Sequence, residues 1–244
     1  MSKMCKKLAF LINVFFIYEL FLSWKVSSAR TTYKSCDEAP AHSGIYWVRL
    51  SETMVPFQVF CEQEKFGGGW LVFQSRYDGT TSFNRTWNEY KYGFGDLRNN
   101  FWLGLDKLHQ LTSVVNYDLL ISMANFLDFM AYQKYESFRV NGEDQFYSLN
   151  VSERNTGTAG ESLLAYNGEP FSTFDKDNGQ TTANCASEMG GGFWHHDCRI
   201  LTKDRNNVNG LYSDRGLNNG IWWGEFGGIN EPLKHVRLHI KLKN

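Results

Sequence analysis

Between Phe171 and Cys198 the chain gathers the residue types from which a ligand site can be built. Asp175 and Asp177 stand two apart in a polar turn with Asn178 and Gly179. Alternate residues of a compact turn can point inward together, and their oxygens are what a hard cation such as calcium takes. A few residues on, Cys185 and Cys198 flank Gly190, Gly191, Gly192, Phe193 and Trp194. Flat rings can stack on the apolar face of a sugar or serve as core. Phe193 and Trp222 are expected nearer the surface, with Trp194 and Trp223 as buried supports. Arg199 and Arg205 could hold a carboxylate or sulfate in a bidentate fork, or be solvated loop charges.

The same residues offer no catalytic layout. His195, His196 and Asp197 are consecutive, so their side chains diverge, and no His-x-x-x-His spacing aims two imidazoles at one metal. No Gly-x-Ser-x-Gly elbow is present, and carboxylates such as Glu225 and Glu231 are scattered. The expectation is a protein that recognises rather than catalyses.

A loop-built site needs a scaffold and a compartment. Lys6 and Lys7 precede an apolar run from Leu8 to Leu22, and Ser27-Ser28-Ala29 supplies small residues, so residues 1–29 read as a signal peptide and the protein as secreted. Asn13 and Glu19 interrupt a run already short of the roughly 20 apolar residues that a membrane span needs. Residues 30–244 carry 21 basic and 25 acidic side chains, which gives no electrostatic reason to seek nucleic acid or an anionic membrane. Four cysteines remain there, Cys36, Cys61, Cys185 and Cys198, and an even count in a secreted chain implies two disulfides in any of three pairings. A four-thiolate zinc site would call for a Cys-x-x-Cys pair, which is missing. Neither a heptad seam nor collagen triplets supply an oligomerisation stalk, although an oligomer is not excluded.

Alternation predicts strands over 43–48, 58–61, 70–76, 117–123 and 135–140. The last strand is the most regular, with Val236, Leu238, Ile240 and Leu242 facing one way and His235, Arg237, His239 and Lys241 the other, so it should lie in a central sheet. Short helices are expected over 104–112 and 87–92. From Glu161 to Pro232 periodicity nearly vanishes while Gly, Asn, Asp and aromatic residues rise, which suggests ordered loops around a site. Asn84-Arg85-Thr86 and Asn150-Val151-Ser152 are N-glycosylation sequons at Asn84 and Asn150.

One set of markers carries a resemblance: Cys36 with Ser43-Gly44-Ile45-Tyr46, Val59-Phe60-Cys61, Gly68-Gly69-Trp70, Gly93-Phe94-Gly95, Phe101-Trp102-Leu103-Gly104, Asn184-Cys185-Ala186 and Asn209-Gly210-Leu211-Tyr212. In these the chain, from about Ser35 to Lys243, resembles the fibrinogen C-terminal-like domain of ficolins, tachylectins and angiopoietin-like proteins. The resemblance implies an α+β fold with a central antiparallel sheet, short helices and a loop-rich recognition subdomain. It implies the disulfides Cys36–Cys61 and Cys185–Cys198. It divides residues 30–244 into an N-terminal part over about 35–75, a sheet part over about 76–160 plus 234–243, and a recognition part over about 161–233.

The resemblance also places a calcium turn and a ligand pocket. Counting back from Cys185, the family's calcium ligands fall on Asp177, Gly179 and the carbonyls of Thr181 and Ala183, so the candidate site is weakened by Gly179, which has no carboxylate. The acetyl-binding pocket of related lectins falls on Met189, Asp197, Cys198, Arg199, Leu217 and Glu231, with a cis peptide expected at Asp197–Cys198. The function implied is a secreted, non-catalytic recognition protein for glycans or for acetylated or anionic surface groups, as in innate immunity. The alternative is a ligand for a cell-surface receptor or matrix protein.

Overall fold

A computed structural model describes residues 31–199 and 202–243. The expected leader, residues 1–29, lies outside the described residues, and the chain from Tyr33 onward forms one compact unit.

The strands are β1 (Thr32–Tyr33), β2 (Gly44–Val48), β3 (Phe57–Glu62), β4 (Trp70–Arg76), β5 (Phe94–Gly95), β6 (Phe101–Trp102), β7 (Tyr117–Asn125), β8 (Met130–Val140), β9 (Leu149–Val151), β10 (Asn155–Gly157), β11 (Asn206–Asn207), β12 (Trp222–Trp223) and β13 (Leu233–Leu242). Among the described residues three α-helices join them, α1 (Trp87–Tyr92), α2 (Leu105–Thr112) and α3 (Cys185–Glu188). The sheet runs β2-β3-β4-β13-β7-β8-β10, with every one of these pairings antiparallel. The regular C-terminal strand therefore does lie at the centre, between β4 and β7.

Its alternation holds with one exception. Val236, Leu238 and Ile240 are buried as expected, but so is His239. A bulge between Leu238 and His239 shifts the register against β4. The imidazole then lies edge-on to Phe66 and Trp70, with Nε2 2.9 Å from Ser122 Oγ. Strand β8 begins at Met130 rather than near Tyr135, because the outward residues of its first half, Met130 and Tyr132, are themselves apolar and mask the alternation.

Helix α1 follows from a capping box: Thr86 Oγ1 accepts the Glu89 N–H, and Glu89 Oε2 accepts the Thr86 N–H at 2.9 Å. Helix α2 buries Leu105, Leu108 and Leu111 on one side. Between helices, sheet and loops lies a ring core in which Phe73 stacks on Phe138 at 5.4 Å and Trp102 meets Tyr90, Phe171 and Trp194.

From 161 to 232 regular structure shrinks to α3, the β11–β12 pair and single helical turns. Buried amides take over there. Asn206 Nδ2 donates to Ser162 O, Asn207 Nδ2 to Met189 O and Gly220 O, and Asn209 Nδ2 to Gly192 O. Gln74 and Arg76 of β4 donate to Val208 O and Gly210 O, which ties the loops to the sheet. Both disulfides are local, Cys36–Cys61 and Cys185–Cys198, with Cα atoms 5.5 and 5.4 Å apart.

Candidate recognition site at the second disulfide

Asn184 caps α3 by accepting the Ser187 N–H at 2.9 Å, and this fixes Cys185 for its bond to Cys198. The intervening glycines are needed for close approach. A Cβ on Gly191 would fall 2.2 Å from Asn209 O, and one on Gly192 2.7 Å from the Tyr90 ring. Held against that ring, Gly192 N–H donates to the Tyr90 hydroxyl, which in turn donates to Phe83 O. Phe193 and Trp194 point inward from this backbone and are both fully buried, as are Trp222 and Trp223. The expected exposure of Phe193 and Trp222 is thus corrected, because both rings complete the core beneath the loop. Trp194 Nε1 donates to Tyr147 O and Trp222 Nε1 to Asn218 O.

Met189, Asp197 and Cys198 are brought together around one small cavity, shared with Tyr166, His195, His196, Arg205 and Trp222. Its volume is about 10 Å³, room for about one water. Met189, only 5% exposed, packs at its wall. Burial pushes the His195 pKa down to about 4, and its Nε2 lies 2.8 Å from Gly191 O. At the rim Arg199 grips Asp197 with Nε–Oδ1 3.0 Å and NH2–Oδ2 3.2 Å. The Arg199 hydrogen bond holds the Asp197 carboxyl below the usual carboxylate range. Arg199 is therefore engaged within the rim. Every described peptide bond is trans, Asp197–Cys198 included, which corrects the expected cis bond.

Leu217 and Glu231 do not line this cavity. Leu217 O closes a turn by accepting the Gly220 N–H at 2.9 Å, and Glu231 Oε2 accepts from Asn125 Nδ2 at the end of β7. In their place stand residues whose roles leave no local signal. His196 Nδ1 lies 2.6 Å from Glu169 Oε1, 27 residues away in sequence, and the Arg205 guanidinium stands 5.6 Å above the Tyr166 ring. Arg205 is buried, and its Nε has no hydrogen-bond partner among the described residues.

The acidic turn is folded onto itself. Asp177 Oδ1 accepts the Gly179 N–H at 3.1 Å, and the Ala183 carbonyl accepts the Thr181 hydroxyl at 3.0 Å. Asp175 Oδ1 accepts the Trp87 N–H at 2.9 Å and the Thr173 hydroxyl at 2.7 Å, serving the start of α1. Among the described residues no three His, Cys, Asp or Glu side chains gather as a metal site. Of the expected calcium ligands only Asp177 carries a carboxylate, where a calcium ion takes six to eight oxygens from carboxylates, carbonyls and water.

A family model, the C-terminal globular domain of fibrinogen beta and gamma chains, matches residues 29–243. The chain belongs to this family. Among fibrinogen-like relatives, it is 37% identical over 218 residues to microfibril-associated glycoprotein 4 of Homo sapiens, covering 84% of each chain. It is 38% identical over 202 residues to ficolin-3 of Homo sapiens, covering 82% of this chain and 66% of that one. The fibrinogen-like globe domain of human ANGPTL2 superposes with a TM-score of 0.80 at 34% identity, covering 87% of this chain and all of that one. Curated relatives differ in how much of them this fibrinogen-like domain spans, from 14% to 84% of their length. The fibrinogen-like fold and both local disulfides thus stand as the resemblance implied.

Proposed function

We propose that this fibrinogen-like domain is an extracellular, non-catalytic recognition module that binds a protein partner by surface contact. The observation that favours this reading is the small size of the cavity behind the second disulfide, about 10 Å³, room for about one water. Met189 packs at the wall, and Arg199 is paired with Asp197 at the rim. Two disulfides suit an oxidising compartment, and no described helix is long and apolar enough to cross a membrane. The acidic turn acts through its own hydrogen bonds rather than through calcium.

Labelled domain applied to cells stripped either by protease or by glycosidases separates the readings. Binding abolished by protease and kept after glycosidase treatment is expected; the reverse pattern would sink the proposal in favour of glycans. Calorimetric titration with calcium should give no heat, and chelator should leave the thermal midpoint unchanged. A midpoint raised by calcium in the wild type but not in Asp177→Ala would restore the cation to the turn.

A further inference from the structure

The two disulfides stand in unlike surroundings. Cys36 and Cys61 are 1% and 0% exposed, and Cys61 lies within β3, paired with Gly44 of β2 and Leu71 of β4. Cys185 is likewise buried, at 4% exposure, but its partner Cys198 is only half-buried and stands at the rim of the small cavity. A thiolate exchanges with a disulfide only where it can reach a sulfur, so access picks out the second bridge and, within it, Cys198.

Local chemistry picks the same sulfur. When a thiolate attacks one sulfur the other departs as a thiolate, and exchange runs faster when the departing charge is the better stabilised. Cys185 Sγ accepts the Cys198 N–H at 3.1 Å, whereas Glu188 Oε2 lies 3.6 Å from Cys198 Sγ and opposes negative charge there. Attack on Cys198 with departure of Cys185 is therefore favoured on both counts.

The loop is also built to lose this bond without unfolding. Its inner half is anchored independently: Asn207 Nδ2 donates to Met189 O at 2.9 Å, the Phe193 N–H to Ser172 O at 3.2 Å and Trp194 Nε1 to Tyr147 O at 2.7 Å. Beyond His195 the chief ties to the rest of the molecule are His196 to Glu169, Arg199 NH1 to Thr182 Oγ1 at 3.4 Å, and the disulfide itself. Opening the bridge releases residues 196–199 and leaves 189–194 in place.

We propose that Cys198 is a site of covalent modification by a small thiol, and that its loading opens the rim of the cavity while the domain stays folded. The thiolate sulfur bonds to Cys198 Sγ, the Cys185–Cys198 bond breaks, and its electron pair leaves on Cys185. A second thiolate attacking the bound thiol's sulfur then frees Cys198 and carries off both reagents as their own disulfide, two electrons having passed to the protein. This chemistry does not depend on what the rim contacts. In the test the folded chain is incubated with millimolar reduced glutathione, quenched with iodoacetamide and mapped by peptide mass. Glutathione should be found on Cys198 and the alkyl group on Cys185, with Cys36–Cys61 reacting at least about tenfold more slowly. Hydrogen exchange should rise at 196–199 and change little at 189–194. The Cys185→Ala/Cys198→Ala double variant should show the same exchange pattern and still melt cooperatively. Glutathione on Cys185, loss of Cys36–Cys61 at an equal rate, reaction only in urea, exchange rising equally across 189–199, or a double variant that melts without cooperativity would overturn the proposal.

Discussion

Met189 decides at the scale of one side chain what the region behind Cys185–Cys198 can hold. Cutting it to alanine removes buried atoms, so Met189→Ala should cost about 2–3 kcal/mol in urea unfolding; a cost near zero would show that the side chain does not pack as described. The two fully buried imidazoles govern acid stability. Burial pushes His195 to about 4 and His239 to about 3, against roughly 6.5 in an unfolded chain. Both folded values are depressed, so the unfolded chain binds more protons below pH 6.5 and stability falls as pH falls. From pH 7 to pH 5 each should cost about 2 kcal/mol, and replacing His195 by glutamine should remove about half of the dependence, read from urea midpoints at the two pH values. Single residues were also where the sequence was least legible. Asp175 and Asp177 have metal-like spacing, yet the Asp175 carboxylate serves α1, 88 residues away in sequence, a use that spacing cannot reveal. Leu217 and Glu231 were placed at the pocket by the resemblance and do not line the cavity; Glu231 instead meets Asn125 at the β7–β8 turn.

Elements were far more legible, because burial on one face imprints a period. The expectation for 87–92 coincides with α1, where Thr86 and Glu89 spell out a capping box. Thr86→Ala should destabilise the domain by about 1 kcal/mol, and an equal urea midpoint for the two proteins would deny the cap any role. The strand at 70–76 was also read to the residue, and it is buried on both faces. Between 161 and 232 the sequence showed only a loss of period. The reason is physical: side-chain amides such as Asn206, Asn207 and Asn209 replace backbone ladders there, and bonds from side chain to backbone follow no repeat. A groove on the central sheet was likewise invisible, since Phe66, Tyr77 and Met130 are far apart in sequence and meet only after β13 has joined β4 to β7.

For the whole molecule, the closing of two loops and of one sheet matters more than any single contact. The Cys185–Cys198 bridge spans 13 residues and should stabilise the fold by about 3 kcal/mol, so reduction should lower the thermal midpoint and loosen first the loops whose regular structure is sparse. The sheet has a different weakness. Strand β13 supplies the ladder on both its sides, to β4 and to β7, and is made after the other described strands. While the ribosome is still adding residues before Leu233, the nascent protein holds two half-sheets whose open edges face each other across a missing strand. Such edges readily take up strands from other molecules. A premature stop at Leu233 should therefore give an aggregated, protease-sensitive product rather than a slightly weakened domain, and a soluble, compact truncation would show that the halves fold alone. Until residues 233–242 have joined the sheet, a sound copy and a failed one present the same two open edges.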